Sequence, residues 1–145
     1  MKRIKIKEYA PRRCFFCGQN GSVEPLDRHH IFEGRTGTRD LCDKYGLVVD
    51  LCHCTCHETG PRAAHNCRKT AELLHKYGQI KWMLETGGSV EEFRMLFMRN
   101  YLSDEELEAV TAMQAAGITE FEPDFGGYNT RDGQPAPVNE LDWVC

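Results

Sequence analysis

The sequence predicts an α+β fold: a small core rich in cysteine and histidine, followed by two or three helices and an irregular C-terminal tail. Paired cysteine spacings flank a β-branched stretch, apolar residues recur at helical spacing after about residue 64, and no period continues beyond Phe121. With 145 residues, 41% of them hydrophobic, the chain suits one modest domain. We expect the core with its following helix in residues 1–87, a helical extension packed on that core in 88–117, and a loosely ordered tail in 118–145.

The core is expected to begin with a pair of cysteines in the stretch CFFCGQNGS. Before this pair, basic and apolar residues alternate in KRIKIKEY, which is typical of a short edge strand or an ordered arm. Cys14 and Cys17 are separated by two residues and followed by a glycine, a spacing that lets two thiolates bind one tetrahedral Zn²⁺ from a tight turn. Redox proteins of the thioredoxin type share this spacing, but there it lies in a βαβ context, which is lacking here.

The second pair of zinc ligands is expected in LCHCTCH. Before it, SVEPLDRHHIF is predicted to be extended, GRTGTRD to be a loop and YGLVVDL, rich in β-branched residues, to be a strand. Cys52 and Cys56 lie four residues apart at the end of that strand and would point the same way on a helical turn. The usual pair has two intervening residues and this one has three, so Cys54 stays open as a rival ligand.

Three helices are predicted after the cysteine-rich part. The first runs from about Ala64 to the glycines at 87 and 88, with this apolar stripe: Leu73, Leu74, Tyr77, Ile80 and Leu84. Ser89 is a suitable N-cap for the second, whose apolar stripe comprises Val90, Phe93, Leu96, Phe97 and Tyr101. Ser103, followed by DEE, opens a third helix that extends through about Ala116. We expect these stripes to be core contacts and not a cofactor site.

Charge divides the chain into a basic and an acidic part. Residues 1–81 carry 15 Lys/Arg against 9 Asp/Glu, a net charge of +6, and residues 82–145 carry 3 against 13, a net charge of −10. The basic part contains all six histidines, which favours a polyanion such as nucleic acid as partner, although a solvated basic face without a partner is the alternative. Guanidinium groups pair with phosphate as bidentate forks, so these residues are candidate phosphate contacts: Arg12, Arg13, Arg28, Arg35 and Arg39, with Lys44.

The histidines are left over if four cysteines saturate a structural zinc. His29 and His30 are adjacent and would point to opposite sides of a strand, whereas His57 directly follows a predicted zinc ligand. A second, catalytic metal bound by His29 and His57, with His30 as general base, is chemically sensible because the pKa of histidine lies near neutral. A divalent ion with few protein ligands also keeps positions open for phosphate oxygens. Alternatively, one histidine completes the zinc site and the others lie on the surface.

The motifs CFFC, DRHHI and LCHCTCH, spanning residues 14 to about 66, resemble the HNH endonucleases with a cysteine-knuckled zinc, the treble-clef or ββα-metal class. The order of HHIF, KYGLVV and a closing Cys/His cluster looks especially like the small HNH proteins of bacteriophages and prophages. The resemblance implies a metal-dependent DNA endonuclease with a treble-clef core, a structural Zn²⁺ and a catalytic Mg²⁺ or other divalent cation. By position, it implies that His30 activates water, that His29 binds the metal and that His57 closes the motif. The products would carry a 5′-phosphate and a 3′-hydroxyl.

Two departures from the family pattern concern individual residues. The family has a central Asn near the strand that precedes the second pair of zinc-binding cysteines (the second knuckle, here Cys52 to Cys56). The corresponding stretch YGLVVDL contains no Asn, so Asp50 is the substitute candidate. The extra residue in the second knuckle displaces either a zinc ligand or His57, which makes His65 or His53 the next candidate metal ligand. Two alternatives therefore stand beside the nuclease: a zinc-stabilised nucleic-acid-binding or recombination accessory protein without efficient cleavage, and a protein-interaction zinc domain.

Composition also predicts where the protein acts. No run of about 18 apolar residues is present, so no transmembrane helix is expected. The basic N-terminal stretch lacks the apolar core of a signal peptide. We therefore expect a cytoplasmic protein, in a bacterial host cell if it is phage-encoded, that contacts DNA and no membrane. Thiols are normally reduced there, so the eight cysteines argue for metal ligands before disulfides. Nothing in the sequence predicts a dimer interface.

Overall fold

The computed structural model of the chain describes residues 12–34 and 36–120, and its elements are both helical and extended. In chain order they are β1 (Leu26–His30), α1 (Thr38–Tyr45), β2 (Val48–Cys52), a π-helical segment (His53–Glu58), α2 (Arg68–Thr86), α3 (Val90–Phe97) and α4 (Asp104–Ala115). The two strands pair in one sheet, so the predicted α+β class is confirmed at this level. None of the helices in these residues is long and apolar enough to span a bilayer.

Several expectations fall on residues that the structure does not describe. The alternating stretch KRIKIKEY, the candidate phosphate contact Arg35 and the tail from Phe121 onward lie outside the described residues. The described residues form two compact units that interleave along the chain. The first unit includes residues 12–29 and 49–67, and the second includes 30–48, apart from 35, and 68–120. The division by chain order at residues 87 and 117 is a different partition and stays a prediction.

The first unit contains the cysteine pairs and most of the sheet. The segment with Cys14 and Cys17 (the first knuckle) is bonded to β2 through the backbone, because the N–H of Phe15 donates to the carbonyl of Asp50 at 2.8 Å. The segment after β2 is tied to the start of β1 in the same way, since the N–H of His53 donates to the carbonyl of Pro25 at 2.9 Å. Both cysteine-bearing segments are thus hydrogen-bonded to the sheet.

The second unit contains the helices, and their ends follow local rules. Ser89 and Ser103 each form a capping box: each hydroxyl accepts a backbone N–H three residues on, and a glutamate there reaches back to the serine N–H. The predicted N-caps of these two helices are confirmed, but α3 ends at Phe97, so Tyr101 of its predicted apolar stripe lies beyond the helix. Helix α1 was not predicted. It begins at Thr38, so the last three residues of the expected loop GRTGTRD are helical. Gly46, with φ +70°, ends α1 and donates its N–H to Asp43 and Cys42 carbonyls.

Helix α2 begins at Arg68, later than predicted. The N–H of Ala64 donates to the carbonyl of Cys56 at 2.8 Å, so Ala64 lies in the loop that is bonded back to the π-helical segment. The buried face of α2 includes Gly78, where a Cβ would lie 2.7 Å from Ile31 Cγ2 and 2.8 Å from Phe32 Cζ. A glycine at this position lets the helix approach that segment closely.

Candidate metal centre

Four cysteines in the first unit place their sulfurs together. Cys14, Cys17, Cys52 and Cys56 are all buried, with side chains at most 3% exposed, and each sulfur lies within 4.8 Å of the others. The Sγ atoms of Cys17 and Cys52 are 3.7 Å apart. Four sulfurs at about 2.3 Å from a tetrahedral zinc would lie about 3.8 Å from one another, so this spacing fits that ion. The four thiols could therefore hold a metal ion such as zinc.

Cys54, the rival ligand, is exposed and lies outside this group. The reason is the conformation of the second knuckle, which is a π-helical segment running from His53 to Glu58. A π-helix holds one more residue between hydrogen-bonded partners than an α-helix, as in the bond from the N–H of Thr59 to the carbonyl of Cys54 at 3.0 Å. The segment thus accommodates the three residues between Cys52 and Cys56 that made the spacing unusual.

Glu24 fixes the start of this π-helical segment. Its Oε1 accepts the backbone N–H groups of Cys54 and Thr55 at 2.7 and 2.9 Å, and its Oε2 accepts the Thr55 hydroxyl at 2.8 Å. A carboxylate is favourable here because the first N–H groups of a helical segment have no partner within it. Burial opposes ionisation of Glu24, but the hydrogen bonds from Thr55 and Cys54 outweigh it and lower the pKa of this carboxyl.

The four thiols influence one another's ionisation. Hydrogen bonds with Cys17, and then with Cys52 and Cys56, lower the pKa of the Cys14 thiol. The hydrogen bond with Cys14 raises the pKa of Cys52 and of Cys56, because a second thiolate would form beside the first. A divalent cation would offset the negative charge that such a cluster otherwise resists, and zinc binds thiolates and not thiols.

A second group of possible ligands in the first unit consists of His29, His57 and His65. One ring nitrogen from each lies within 4.8 Å of the others, and the Nε2 atoms of His57 and His65 are 3.1 Å apart. His29 on β1 is buried and 8% exposed, His57 is half-buried and His65 is exposed, so the group reaches solvent on one side. Nitrogens bound to one ion at about 2.1 Å would be roughly 3.0–3.4 Å apart, so the spacing of His57 and His65 fits a shared ion.

The loop after the π-helical segment brings His65 to this group. The N–H of His65 donates to the carbonyl of His57 at 3.0 Å. The Asn66 side chain donates to the carbonyls of Gly60 and Thr59 at 3.1 and 3.4 Å, which closes the loop. At Gly60 a Cβ would lie 2.2 Å from the Thr55 carbonyl oxygen, so the turn needs a glycine. The sequence indicated only that His65 was a runner-up ligand.

His53, the other alternative ligand, belongs to a different group with Asp27 and His57. The Oδ2 atom of Asp27 lies 2.6 Å from His53 Nδ1 and 2.8 Å from His57 Nδ1. The hydrogen bonds with His53, and then with His57, lower the pKa of the Asp27 carboxyl, and the hydrogen bond with Asp27 raises the pKa of His53. Nothing in the sequence pattern marks Asp27 for these contacts.

His30, the predicted base, lies in the second unit and contacts an acidic residue of α1. Its Nε2 is 3.0 Å from Asp43 Oδ1. Asp50, the proposed substitute for the missing Asn, instead accepts hydrogen bonds from Nε and Nη2 of the Arg12 guanidinium. This ion pair raises the pKa of Arg12. Asp43 is thus the carboxylate that orients the His30 ring, a partner that sequence analysis missed.

The candidate phosphate contacts differ in whether their guanidinium groups already have partners in the protein. Arg12 pairs with Asp50, and Arg13 donates from Nη1 to the carbonyl of Gly18 at 2.9 Å, which holds the first knuckle. Arg28 and Arg39 are exposed. Arg12 and Arg13 are exposed as well, but their guanidinium groups already donate to Asp50 and Gly18.

The two donor sets differ in the ions that they suit. Four buried thiolates favour zinc in a closed structural site, whereas three imidazoles in a group that reaches solvent on one side leave coordination positions open.

In comparisons with known proteins, no family model matches the chain, and neither a curated protein nor a solved structure matches it.

Proposed function

We propose that this protein is a metal-dependent DNA endonuclease of the HNH type, with a structural zinc in a treble-clef core. The observation that carries the proposal is the cluster of His29, His57 and His65 in the same unit as a separate, complete set of four buried cysteines. Four thiols are enough for a tetrahedral zinc site, so the zinc does not need the histidines as ligands.

The histidine cluster supports catalysis because three protein ligands leave positions for water and substrate. A divalent ion held there would supply positive charge to the phosphate as its negative charge grows in the transition state. Metalloenzymes commonly use three protein ligands for this purpose, whereas structural sites use four. Mg²⁺, Mn²⁺ and Ni²⁺ are the ions to compare.

The proposed base is His30. With its Nε2–H donating to Asp43, a neutral His30 keeps the lone pair on Nδ1 and can accept a proton from water there. Asp43 would then stabilise the imidazolium that forms. Hydrolysis of the phosphodiester would leave a 5′-phosphate and a 3′-hydroxyl. Arg28 and Arg39 are the proposed phosphate contacts, which would hold DNA without reading its sequence.

The test is plasmid nicking by zinc-loaded protein with each divalent ion. We expect the wild type to nick, His30→Ala to be slower by about 10²–10⁴-fold, the range for loss of a general base, and His65→Ala to require more metal. His53→Ala is the matched control, because this histidine lies on the same segment as His57 but outside the cluster. It should nick like the wild type.

Two results would contradict the proposal that the protein is a nuclease. If the wild type binds DNA but nicks with none of the ions, the accessory protein without efficient cleavage is the better assignment. If it does not bind DNA even at low salt, where phosphate contacts are strongest, the protein-interaction zinc domain is favoured.

A further inference from the structure

We propose that Asp27 is a positioning residue for the histidine cluster: it holds His57 as the Nδ1–H tautomer and thereby directs Nε2 to the metal. This inference rests on the metal site of the proposed function, but it gives a role to Asp27, to which the resemblance assigns none. It also makes a statement about the His57 ring that holds without any ion.

The contacts on the two sides of the His57 ring carry the argument. Nδ1 lies 2.8 Å from Asp27 Oδ2 and 3.4 Å from Glu58 Oε2. A neutral imidazole has one N–H and one lone pair, and a carboxylate can only accept, so the proton belongs on Nδ1. The lone pair is then on Nε2, which lies 3.1 Å from the Nε2 of His65.

The alternative is that Asp27 itself binds an ion together with His53 and His57. A neutral His57 has one lone pair, so it can serve this group through Nδ1 or the histidine cluster through Nε2, but not both. Asp27 uses the same oxygen for both rings, at 2.6 and 2.8 Å, which are hydrogen-bond lengths. Ligand atoms around a common ion lie farther apart, at about 3.0–3.4 Å for metal–ligand bonds of about 2.1 Å.

The exposure of the side chains also favours the histidine cluster over the group of Asp27, His53 and His57 as the ion site. The side chain of His53 is 49% exposed, whereas His29 in the histidine cluster is 8% exposed overall. The histidine cluster has one buried ring, His29, beside the exposed His65, whereas none of Asp27, His53 and His57 is buried. A buried ring is held by packing, which an ordered ion site favours. His53 therefore shares the Asp27 carboxylate as a hydrogen-bond partner and is not a ligand.

The arrangement has a measurable consequence for metal affinity. A carboxylate behind a metal-binding histidine fixes the ring and raises its basicity, and its loss typically weakens binding about 10- to 100-fold. Asp27→Ala should therefore weaken the histidine site by this factor while the zinc content stays unchanged. Asp27→Asn should fall in between, because an amide oxygen still accepts from Nδ1–H.

The test uses the full chain with zinc already bound and Ni²⁺ as the titrated probe. Calorimetry gives the Kd of each variant, elemental analysis gives its zinc content, and ¹⁵N shifts of the histidine rings give the tautomer of His57 before Ni²⁺ is added. Asp50→Ala is the matched control: this carboxylate lies on β2 of the same unit and pairs with Arg12 instead of a histidine. Its Kd should stay within about twofold, as for a surface change away from the site.

Each outcome decides the proposal. We expect Nδ1–H at His57 in the wild type and a shift toward Nε2–H in Asp27→Ala, together with the weaker Kd. An unchanged Kd and tautomer would overturn it, and so would loss of Ni²⁺ binding in His53→Ala but not in His65→Ala. If Asp27→Ala loses zinc through misfolding, Asp27→Asn decides by the same readouts.

Failure of the proposed function gives a different pattern. If the wild type binds no Ni²⁺ at these histidines, the proposed catalytic site is wrong, and the tautomer still tests Asp27. His57 as Nε2–H in that protein would refute the positioning role, whereas Nδ1–H that is lost in Asp27→Ala would support it.

Discussion

Exchanging one sulfur at a time for oxygen should show which cysteines of the second knuckle bind zinc. Cys52 and Cys54 are two residues apart, but the side chain of Cys52 is fully buried and its sulfur lies 3.7 Å from that of Cys17, whereas Cys54 is exposed. We expect Cys52→Ser to lose zinc and Cys54→Ser to keep it. The two variants are matched in chemistry and nearly matched in position.

The size of the effect follows from the free energy of zinc binding. A structural site contributes about 10–16 kcal/mol at pH 7, so an equal share for each of four thiolates is about 2.5–4 kcal/mol. This share corresponds to about 10²- to 10³-fold in the zinc Kd, at 1.4 kcal/mol per tenfold change. Cys54→Ser keeps the backbone bond to Glu24 and alters only an exposed side chain, so its stability should change by less than about 0.5 kcal/mol.

The assay is the zinc content per chain after dialysis against a competing chelator, with the thermal unfolding midpoint measured on the same samples. Cys54→Ser should retain zinc and the wild-type midpoint, and Cys52→Ser should lose both. The reverse pattern, with zinc lost in Cys54→Ser and kept in Cys52→Ser, would show that the four buried cysteines are not the ligand set.

Three further predictions concern stability. Gly78→Ala gains about 1 kcal/mol of helix propensity, but its Cβ would lie 2.8 Å from Phe32 Cζ. The cost of overpacking, about 1–3 kcal/mol, should exceed this gain. The urea midpoint should therefore fall, and a rise would contradict the prediction. Glu24→Gln removes a charged acceptor and should lower the thermal midpoint of zinc-loaded protein, a loss of about 1 kcal/mol. Burial opposes ionisation of Glu106, but the hydrogen bonds with Ser103 and with the Lys76 ammonium together outweigh it, so the pKa of this carboxyl is lowered. The stabilisation is present above the unfolded pKa and is lost as pH falls through the folded pKa, so wild type should lose more stability than Glu106→Gln on acidification below about pH 4.5.

Features that depend on neighbours in the chain could be predicted from the sequence. Ser89 and Ser103 were identified as N-caps because a capping box needs only residues three positions apart, and both boxes are present. The grouping of Cys14 and Cys17 is local in the same sense. Strand β2 was predicted because its first two residues, Val48 and Val49, are β-branched.

Helix α1 and the conformation of the second knuckle could not be predicted in this way. Helix α1 has eight residues, of which only Cys42 is buried, so no apolar stripe marks it in the sequence. The choice between Cys52 and Cys54 stayed open because the spacing rule assumes a tight knuckle. The π-helical segment departs from that assumption, and its carboxylate partner, Glu24, comes from 30 residues earlier in the chain.

Partners of the histidines were the hardest to predict, because the chain offers many carboxylates and the sequence does not rank them. Asp50 was chosen for its place near the second knuckle, yet it pairs with Arg12, 38 residues away. The carboxylates that contact His30 and His57 are Asp43 and Asp27. Such pairings depend on which strands and helices meet, and a single sequence does not specify this.

The backbone bonds of the first unit imply that the two proposed metal sites depend on each other unequally. The carbonyls of Cys56 and His57 accept the N–H groups of Ala64 and His65 at 2.8 and 3.0 Å, so one short segment carries a zinc ligand and also holds two histidines of the cluster. Without zinc, no common ion holds the four sulfurs together, and the segment that positions His57 loses this anchor. Without the histidine site, the thiols, the Glu24 carboxylate and these backbone bonds remain. Zinc should therefore be required for the histidine cluster, whereas the histidine cluster is not required for zinc.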